Sequence, residues 1–149
     1  MAALAFGAAP SQAAENSAAY PCGSSGDWSS DGGAYADFSE NCLWSSGGGY
    51  YIHVTGTLHD YAKDGLGPRL YAQPLTATGW GATQLVAHNS NGYDGPPEEI
   101  AGYVNGTDYR HIARYKVCNG GVSTNCSGWF EVSDQQRTSS YDPHGEVHT

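Results

Sequence analysis

A period-two alternation of apolar and polar side chains over residues 50–60 constrains the fold of this chain more than any other feature. Successive side chains of a β-strand point to opposite faces, so the alternation predicts a strand with one buried face. Gly56 interrupts the inner row, and a glycine there indicates a bulge or a close neighbour. The apolar side chains of the inner row are Tyr50, Ile52, Val54 and Leu58.

The residues that follow this strand predict a hairpin. Residues 61–68 are rich in Gly, Asp and Pro, and residues 69–73 alternate again. A turn between two alternating segments is typical of adjacent antiparallel strands. We therefore expect a long antiparallel hairpin at roughly 50–60 and 68–75, with the rest of the chain packed on or beside it.

Short alternating segments recur along the chain and are separated by Gly, Asn, Asp, Ser and Pro. The 149 residues include 21 Gly and 11 Tyr, and helical spacing of Ala, Leu, Glu and Lys is absent after the first twenty residues. This pattern predicts an all-β fold, a single-domain antiparallel β-sandwich of about seven short strands within residues 22–133. We expect residues 23–49 to be loop-rich around one short strand at 34–38, and a second clear strand at 109–118.

Both ends of the chain differ in composition from this central domain. Residues 1–14 are apolar and end in small residues, as a cleaved export signal does, although no Lys or Arg precedes the apolar run. The missing charge leaves open a start of translation upstream of Met1. Residues 15–21 predict a flexible leader, and the polar, aperiodic residues 134–149 predict a loose tail. We expect the protein to be secreted.

Four cysteines are an even number in a chain expected to be exported, which indicates two disulfides. Four cysteines allow three pairings. The turn-rich loop between Cys118 and Cys126 separates two strand-like segments, so a bridge between these two residues would close a hairpin. Cys22–Cys42 then follows by elimination. The closely spaced Cys/His pairs of a zinc site are absent from the sequence.

The charge balance excludes some classes of partner. The chain has 15 acidic and 6 basic residues, for a formal net charge of −9. Proteins that bind nucleic acids present a basic surface to the phosphates, so we do not expect a nucleic-acid partner. No second apolar run of about 18 residues is present, so we expect no membrane span.

The sequence indicates neither a catalytic nor a metal site. It lacks a Gly-x-Ser-x-Gly motif, and none of its six histidines lies near a Ser or Cys in a known local signature. The adjacent acids Glu98 and Glu99 point apart in an extended segment, unlike the acid pair of a glycosidase. His53 and His59 share a face but lie roughly 20 Å apart, too far to share a metal ion. Loop carboxylates leave calcium binding open. We expect neither an enzyme nor a cofactor.

Basic residues are concentrated on one predicted strand. Arg110, Arg114 and Lys116 are three of the six basic residues, and they share a face of the strand with Ile112. In a chain of net charge −9 this is an electropositive stripe with an apolar centre, which suits docking to an acidic protein surface. The alternative is that these bases pair with Asp and Glu of a neighbouring strand on a solvated face.

The tryptophans suggest a second kind of surface. Trp28, Trp44 and Trp80 fall in loop-like segments, where exposed rings can stack on sugars, so they are candidate carbohydrate-binding residues. The alternative is that they cap the ends of the sandwich. Trp129 falls on a predicted strand and is expected in the core.

Two motifs carry a resemblance to known proteins. Residues 51–65 read Tyr-x-His-Val-x-Gly-Thr-Leu-x-Asp-x-x-x-Asp-Gly, and residues 115–129 contain Tyr-Lys-Val-Cys followed by Cys-Ser-x-Trp. With the Ala-rich export signal, they resemble small secreted β-sandwich proteins of filamentous actinobacteria. In size and layout the chain is similar to the small adaptor subunits of umbrella toxin particles. The resemblance covers roughly residues 20–133.

The resemblance implies a non-enzymatic adaptor that joins a lectin-bearing subunit to a large repeat-containing subunit of a secreted antibacterial toxin. It also implies that the basic stripe and the leader, through Ala19 and Tyr20, are docking elements, because an extended segment can add to a partner's sheet edge or cleft. A carbohydrate-binding module is the second hypothesis. A secreted enzyme inhibitor that acts through the stapled loop at 119–125 is the third.

Overall fold

The computed structural model describes residues 17–45 and 49–132, which form nine β-strands. None of these residues belongs to a helix with the length and apolarity of a membrane span. The predicted signal peptide (1–14) and C-terminal tail (134–149) lie outside the described residues. In chain order the strands are β1 Ser17–Trp28, β2 Ala34–Ser45, β3 Gly49–Asp60, β4 Pro68–Thr76, β5 Gly79–Trp80, β6 Gln84–His88, β7 Glu98–Thr107, β8 Ala113–Asn119 and β9 Phe130–Glu131.

The strands form two antiparallel sheets that enclose one core. The first sheet has the order β1-β2-β3-β7, and the second has the order β5-β4-β8-β9 with β6 also paired to β4. Buried apolar side chains of both sheets, such as Ile52 of β3 and Val117 of β8, form a single cluster. The predicted all-β sandwich is therefore confirmed, although the described residues form nine strands where about seven were expected.

The alternation in β3 correctly identifies the buried face, but the predicted hairpin is wrong. Ile52, Val54 and Leu58 are fully buried. However, β3 pairs with β2 and β7, whereas β4 pairs with β5, β6 and β8. Residues 61–67 carry the chain from one sheet to the other. Period-two alternation reports which face of a strand is buried and does not report which strand lies beside it.

The N-terminal region contains more strand than the sequence predicts. β1 and β2 pair from Ser17 opposite Ser45 to Trp28 opposite Tyr35, with one irregularity at Pro21. The prediction that residues 23–49 are loop-rich is therefore wrong, and so is the prediction of a flexible leader over residues 17–21. Gly and Ser have low strand propensity, but here β2 is paired on both sides and its inner row lies in the core. Pro21 is tolerated because β1 is an edge strand.

Both predicted disulfides are confirmed. Cys22–Cys42 joins β1 to β2, and Cys118–Cys126 closes the loop after β8. β8 pairs with the two-residue strand β9, as expected for a stapled hairpin. Two disulfides are compatible with an extracellular protein.

One buried hydrogen bond crosses the core between the sheets. Glu40 of β2 is 1% exposed, and its Oε2 accepts a hydrogen bond of 2.5 Å from the hydroxyl of Tyr115 in β8. The rings of Phe38 and Tyr115 also pack together, with centroids 4.6 Å apart. The two sheets are thus joined by a polar contact as well as by apolar packing.

Gly56 of β3 leaves no room for a side chain beside β2. A Cβ atom at Gly56 would lie 2.0 Å from the backbone oxygen of Asp37 and 2.6 Å from the Cα of Phe38. The close neighbour expected from the sequence is therefore present, and it is a backbone that cannot move aside cheaply.

We predict that Gly56→Ala lowers the free energy of unfolding by about 1–3 kcal/mol, because the added methyl group overpacks the junction of β2 and β3. Urea denaturation monitored by circular dichroism measures this change. Gly128→Ala is the control, because no atom lies within 4 Å of the position of its added Cβ. Equal stability of the two variants would contradict the prediction.

Candidate functional site

The outer face of the second sheet carries two cations on neighbouring positions of β8. Arg114 and Lys116 are two residues apart, so both side chains project away from the core. Tyr115 between them is fully buried and fixes this orientation. On the adjacent strand β4, Gln73 lies opposite Arg114 and Tyr71 lies opposite Lys116. Four polar or aromatic side chains therefore lie side by side on this face.

Two tryptophan rings hold these cations. The Arg114 guanidinium carbon lies 4.5 Å from the ring centroid of Trp80 and 4.9 Å from that of Trp129. The Lys116 Nζ atom lies 4.9 Å from the Trp129 centroid. Contacts this close are attractive cation–π interactions. We call this surface the basic–aromatic face, and it consists of Tyr71, Gln73, Trp80, Arg114, Lys116 and Trp129.

Hydrogen bonds further restrict the arginine. Arg114 Nε donates a hydrogen bond of 2.9 Å to Gln73 Oε1, and Gln73 Nε2 donates one of 2.9 Å to Thr83 Oγ1. Arg114 is therefore held both by ring faces and by a fixed acceptor. A guanidinium ordered in this way loses less rotamer freedom when it binds a partner.

No described carboxylate forms a direct ion pair with the two cations of this face. Within residues 17–45 and 49–132, the one salt bridge joins Arg110 to Asp108. Neither Arg114 nor Lys116 has a described carboxylate oxygen within 4.0 Å, although Glu131 lies opposite Arg114 on β9. The alternative that neighbouring acids pair with the basic stripe therefore fails for these two residues.

Arg110 is neutralised, but by Asp108 of its own turn rather than by an acid of a neighbouring strand, and it does not belong to the basic–aromatic face. The strand predicted from residue 109 begins at Ala113, so Arg110 and the half-buried Ile112 precede it. Asp108 starts a turn by accepting a hydrogen bond of 2.9 Å from the Arg110 backbone N–H, and its carboxylate also binds the guanidinium. Asp side chains favour such turns, and this one interrupts the predicted strand.

The predicted docking residues of the N-terminal segment differ in their surroundings. Tyr20 packs against the core, and its hydroxyl lies 3.4 Å from Nδ1 of the buried His111. Its ring is therefore part of the fold rather than a free anchor. Ala19 is exposed on β1, which is an edge strand of the first sheet.

The candidate tryptophans fall into three different environments. Trp28 is 48% exposed on the first sheet, Trp44 is half-buried, and Trp80 is 37% exposed against Arg114. Trp129 was expected in the core, but it precedes β9 and lies under both cations. The stapled hairpin is the signal that could have located it, because Cys118–Cys126 brings residue 129 back beside residue 116.

A polar cluster ties three segments together at one end of the sandwich. Nδ2 of the buried Asn119 donates hydrogen bonds of 3.0 Å to Asp31 Oδ2 and 2.8 Å to Asp64 Oδ2. Desolvation by burial acts to raise the pKa of Asp31, but hydrogen bonds from Asn119, Gly33 N–H and Ser29 outweigh it and lower the pKa below its ordinary value. The cluster therefore favours the charged carboxylate and anchors the loop at residues 61–67.

The described residues offer one close group of potential metal-ligating side chains, formed by Cys22, Glu40 and Cys42. Both cysteines are joined in a disulfide, so neither supplies a thiolate. The group is therefore a structural part of the core.

No protein-family model, curated protein or solved structure matches this chain. The functional assignment therefore rests on the geometry and charge of the surfaces described above.

We predict that Asn119→Ala raises the pKa of the Asp31 carboxyl group, because the variant lacks an amide that stabilises the charged form. A carboxyl group with a lowered pKa stabilises the fold above its unfolded pKa of about 3.9, and this contribution is lost as the pH falls through the folded pKa. NMR titration of the Asp31 carboxyl carbon from pH 6 to pH 2 measures the shift.

The matched control for this titration is Asn105→Ala, which removes an exposed amide side chain on β7. The control should leave the Asp31 midpoint at its wild-type value. An unchanged midpoint in Asn119→Ala would show that the hydrogen bond does not set this pKa.

Proposed function

We propose that the protein is a secreted, non-enzymatic interaction protein that binds an acidic surface of another secreted protein through its basic–aromatic face. The observation that supports this function best is the pair Arg114 and Lys116. Both cations are held by Trp129, and neither has a described carboxylate within 4.0 Å. A partner carboxylate would supply the missing counter-charge.

The composition of this face is that of a protein interface. Arginine and aromatic residues are enriched at the centres of interfaces and dominate their binding energy, and here they lie in direct contact. The surrounding chain has a net charge of −9, so the local positive charge also orients an acidic partner as it approaches. The same few side chains therefore supply the binding energy and orient the approaching partner.

An adaptor also needs a second surface, and β1 offers one. It is an edge strand, so one side of its backbone has no neighbouring strand in the described sheet. An extended segment of a second partner can add to such an edge through main-chain hydrogen bonds. Under this proposal the chain joins two subunits of a secreted complex. This is the role of the adaptor subunits of umbrella toxin particles, which the chain resembles.

We predict that Lys116→Glu weakens partner binding at least about tenfold, because it places a negative charge at the centre of the basic–aromatic face. Lys63→Glu is the matched control. It makes the same change in net charge, but Lys63 lies on an exposed loop near Tyr93 rather than on this face. Wild-type binding should also weaken as the salt concentration rises.

The experiment uses tagged wild-type, Lys116→Glu and Lys63→Glu proteins recovered from culture medium of the organism that encodes the chain. Native mass spectrometry identifies the partner and its stoichiometry, and surface plasmon resonance with the purified partner compares the variants. Equal affinities of the two variants would overturn the assignment of the face. A wild-type protein that is recovered only as a lone species would overturn the adaptor function.

A further inference from the structure

The outer face of the first sheet carries a cluster of four aromatic side chains at one end. Trp28 lies 4.7 Å from Tyr35 and 5.4 Å from Tyr61, measured between ring centroids. His59 stacks on Tyr61 at 5.4 Å and lies 5.9 Å from Tyr35, which closes the circle of rings. The cluster lies on the side of the sheet away from the core, so the core does not account for it.

The rings are ordered by one another and still accessible. Trp28 is 48% exposed and Tyr61 is 50% exposed. Exposed apolar patches of this kind mark binding sites in folded proteins, because leaving them in water has a cost in free energy. Mutual packing also means that little side-chain freedom remains to be lost when a ligand covers the rings.

A groove runs beside this cluster. One depression of about 480 Å³ lies between residues 59–61 and 93–97, and a second of about 470 Å³ lies along the loop at residues 62–67. Both are within the range of about 300–1,000 Å³ that is typical of small-molecule sites. They share Asp60, Tyr93 and Asp94 as lining residues, so the two depressions adjoin, and we call them together the groove.

The groove combines ring faces with hydrogen-bond acceptors. Tyr93 is 48% exposed and lines the groove together with Tyr61. Asp60 uses Oδ1 to accept a hydrogen bond from the Ala62 N–H, and no described residue donates one to the exposed carboxylate of Asp94. Carboxylate oxygens are therefore available beside aromatic surface.

This combination selects one class of ligand. A pyranose ring has a C–H face that packs on aromatic rings and hydroxyl groups that donate hydrogen bonds to carboxylates. A hydrocarbon ligand would leave the carboxylates without donors. The lining also includes the cations Lys63 and Arg69, so acidic and basic side chains balance and favour a neutral ligand that forms hydrogen bonds. Two adjoining depressions accommodate several linked sugar units rather than one.

We propose that this groove binds a neutral oligosaccharide, with Tyr61 and Tyr93 as stacking surfaces, Trp28 of the adjoining cluster as a further one, and Asp60 and Asp94 as hydroxyl acceptors. The site lies at the end of the first sheet and along the loops that join the two sheets, and it shares no residue with the basic–aromatic face. It does not depend on the function proposed above, and each can fail without the other.

The test measures binding of cellohexaose, hexa-N-acetylchitohexaose, laminarihexaose and maltohexaose to the wild-type protein by isothermal titration calorimetry. We expect at least one of these four neutral oligosaccharides to bind. Tyr61→Ala should weaken binding about tenfold, and Tyr61→Trp should retain it because the stacking surface is kept. Asp94→Asn should also weaken binding, because the amide is a poorer acceptor.

Tyr103→Ala is the matched control. Tyr103 is 48% exposed on the same sheet. It pairs with His53 of β3 and stacks on the His53 ring, so it lies away from the cluster. Circular dichroism melting confirms that each variant is folded. Failure of all four oligosaccharides to bind at millimolar concentration would overturn the proposal, and so would equal losses from Tyr61→Ala and Tyr103→Ala.

Discussion

The buried hydrogen bond between Glu40 and Tyr115 constrains how the two sheets can be arranged. Glu40 is only 1% exposed, so water does not solvate its carboxyl group. A buried polar group without hydrogen bonds destabilises a fold by several kcal/mol, about 2–7 for transfer to an apolar medium. The hydroxyl of Tyr115 reaches Glu40 only when β8 faces β2 at this position. The observed placement of the two sheets is therefore more stable than a placement in which β8 is shifted along β2.

This constraint also determines where the candidate docking surface lies. Side chains alternate along a strand, so the inward position of Tyr115 turns Arg114 and Lys116 outward together. The Cys118–Cys126 disulfide then returns the chain beside β8 and places Trp129 against both cations. A polar contact in the core and a covalent link at the end of β8 thus organise a surface that neither of them touches.

The sequence predicts those features that depend on local pattern. The buried row of β3 and the outward projection of Arg114 and Lys116 follow from parity. The Cys118–Cys126 disulfide follows from loop composition, and Cys22–Cys42 follows by elimination. The pairing of β3 with β2 and β7 does not, because alternation carries no information about the neighbouring strand. The cluster of Trp28, Tyr35, His59 and Tyr61 was missed for the same reason, since its members meet only when β1, β2 and β3 are aligned.

The two proposed surfaces combine aromatic rings with different charges. On the second sheet the rings support Arg114 and Lys116, which favours an acidic protein. The groove has Asp60 and Asp94 as well as Lys63 and Arg69, so its charges balance and favour a neutral ligand that forms hydrogen bonds. The two surfaces share no residue. Under the two proposals one chain therefore holds a protein subunit and a glycan at separate sites, and the difference in charge keeps the acidic protein at the basic–aromatic face.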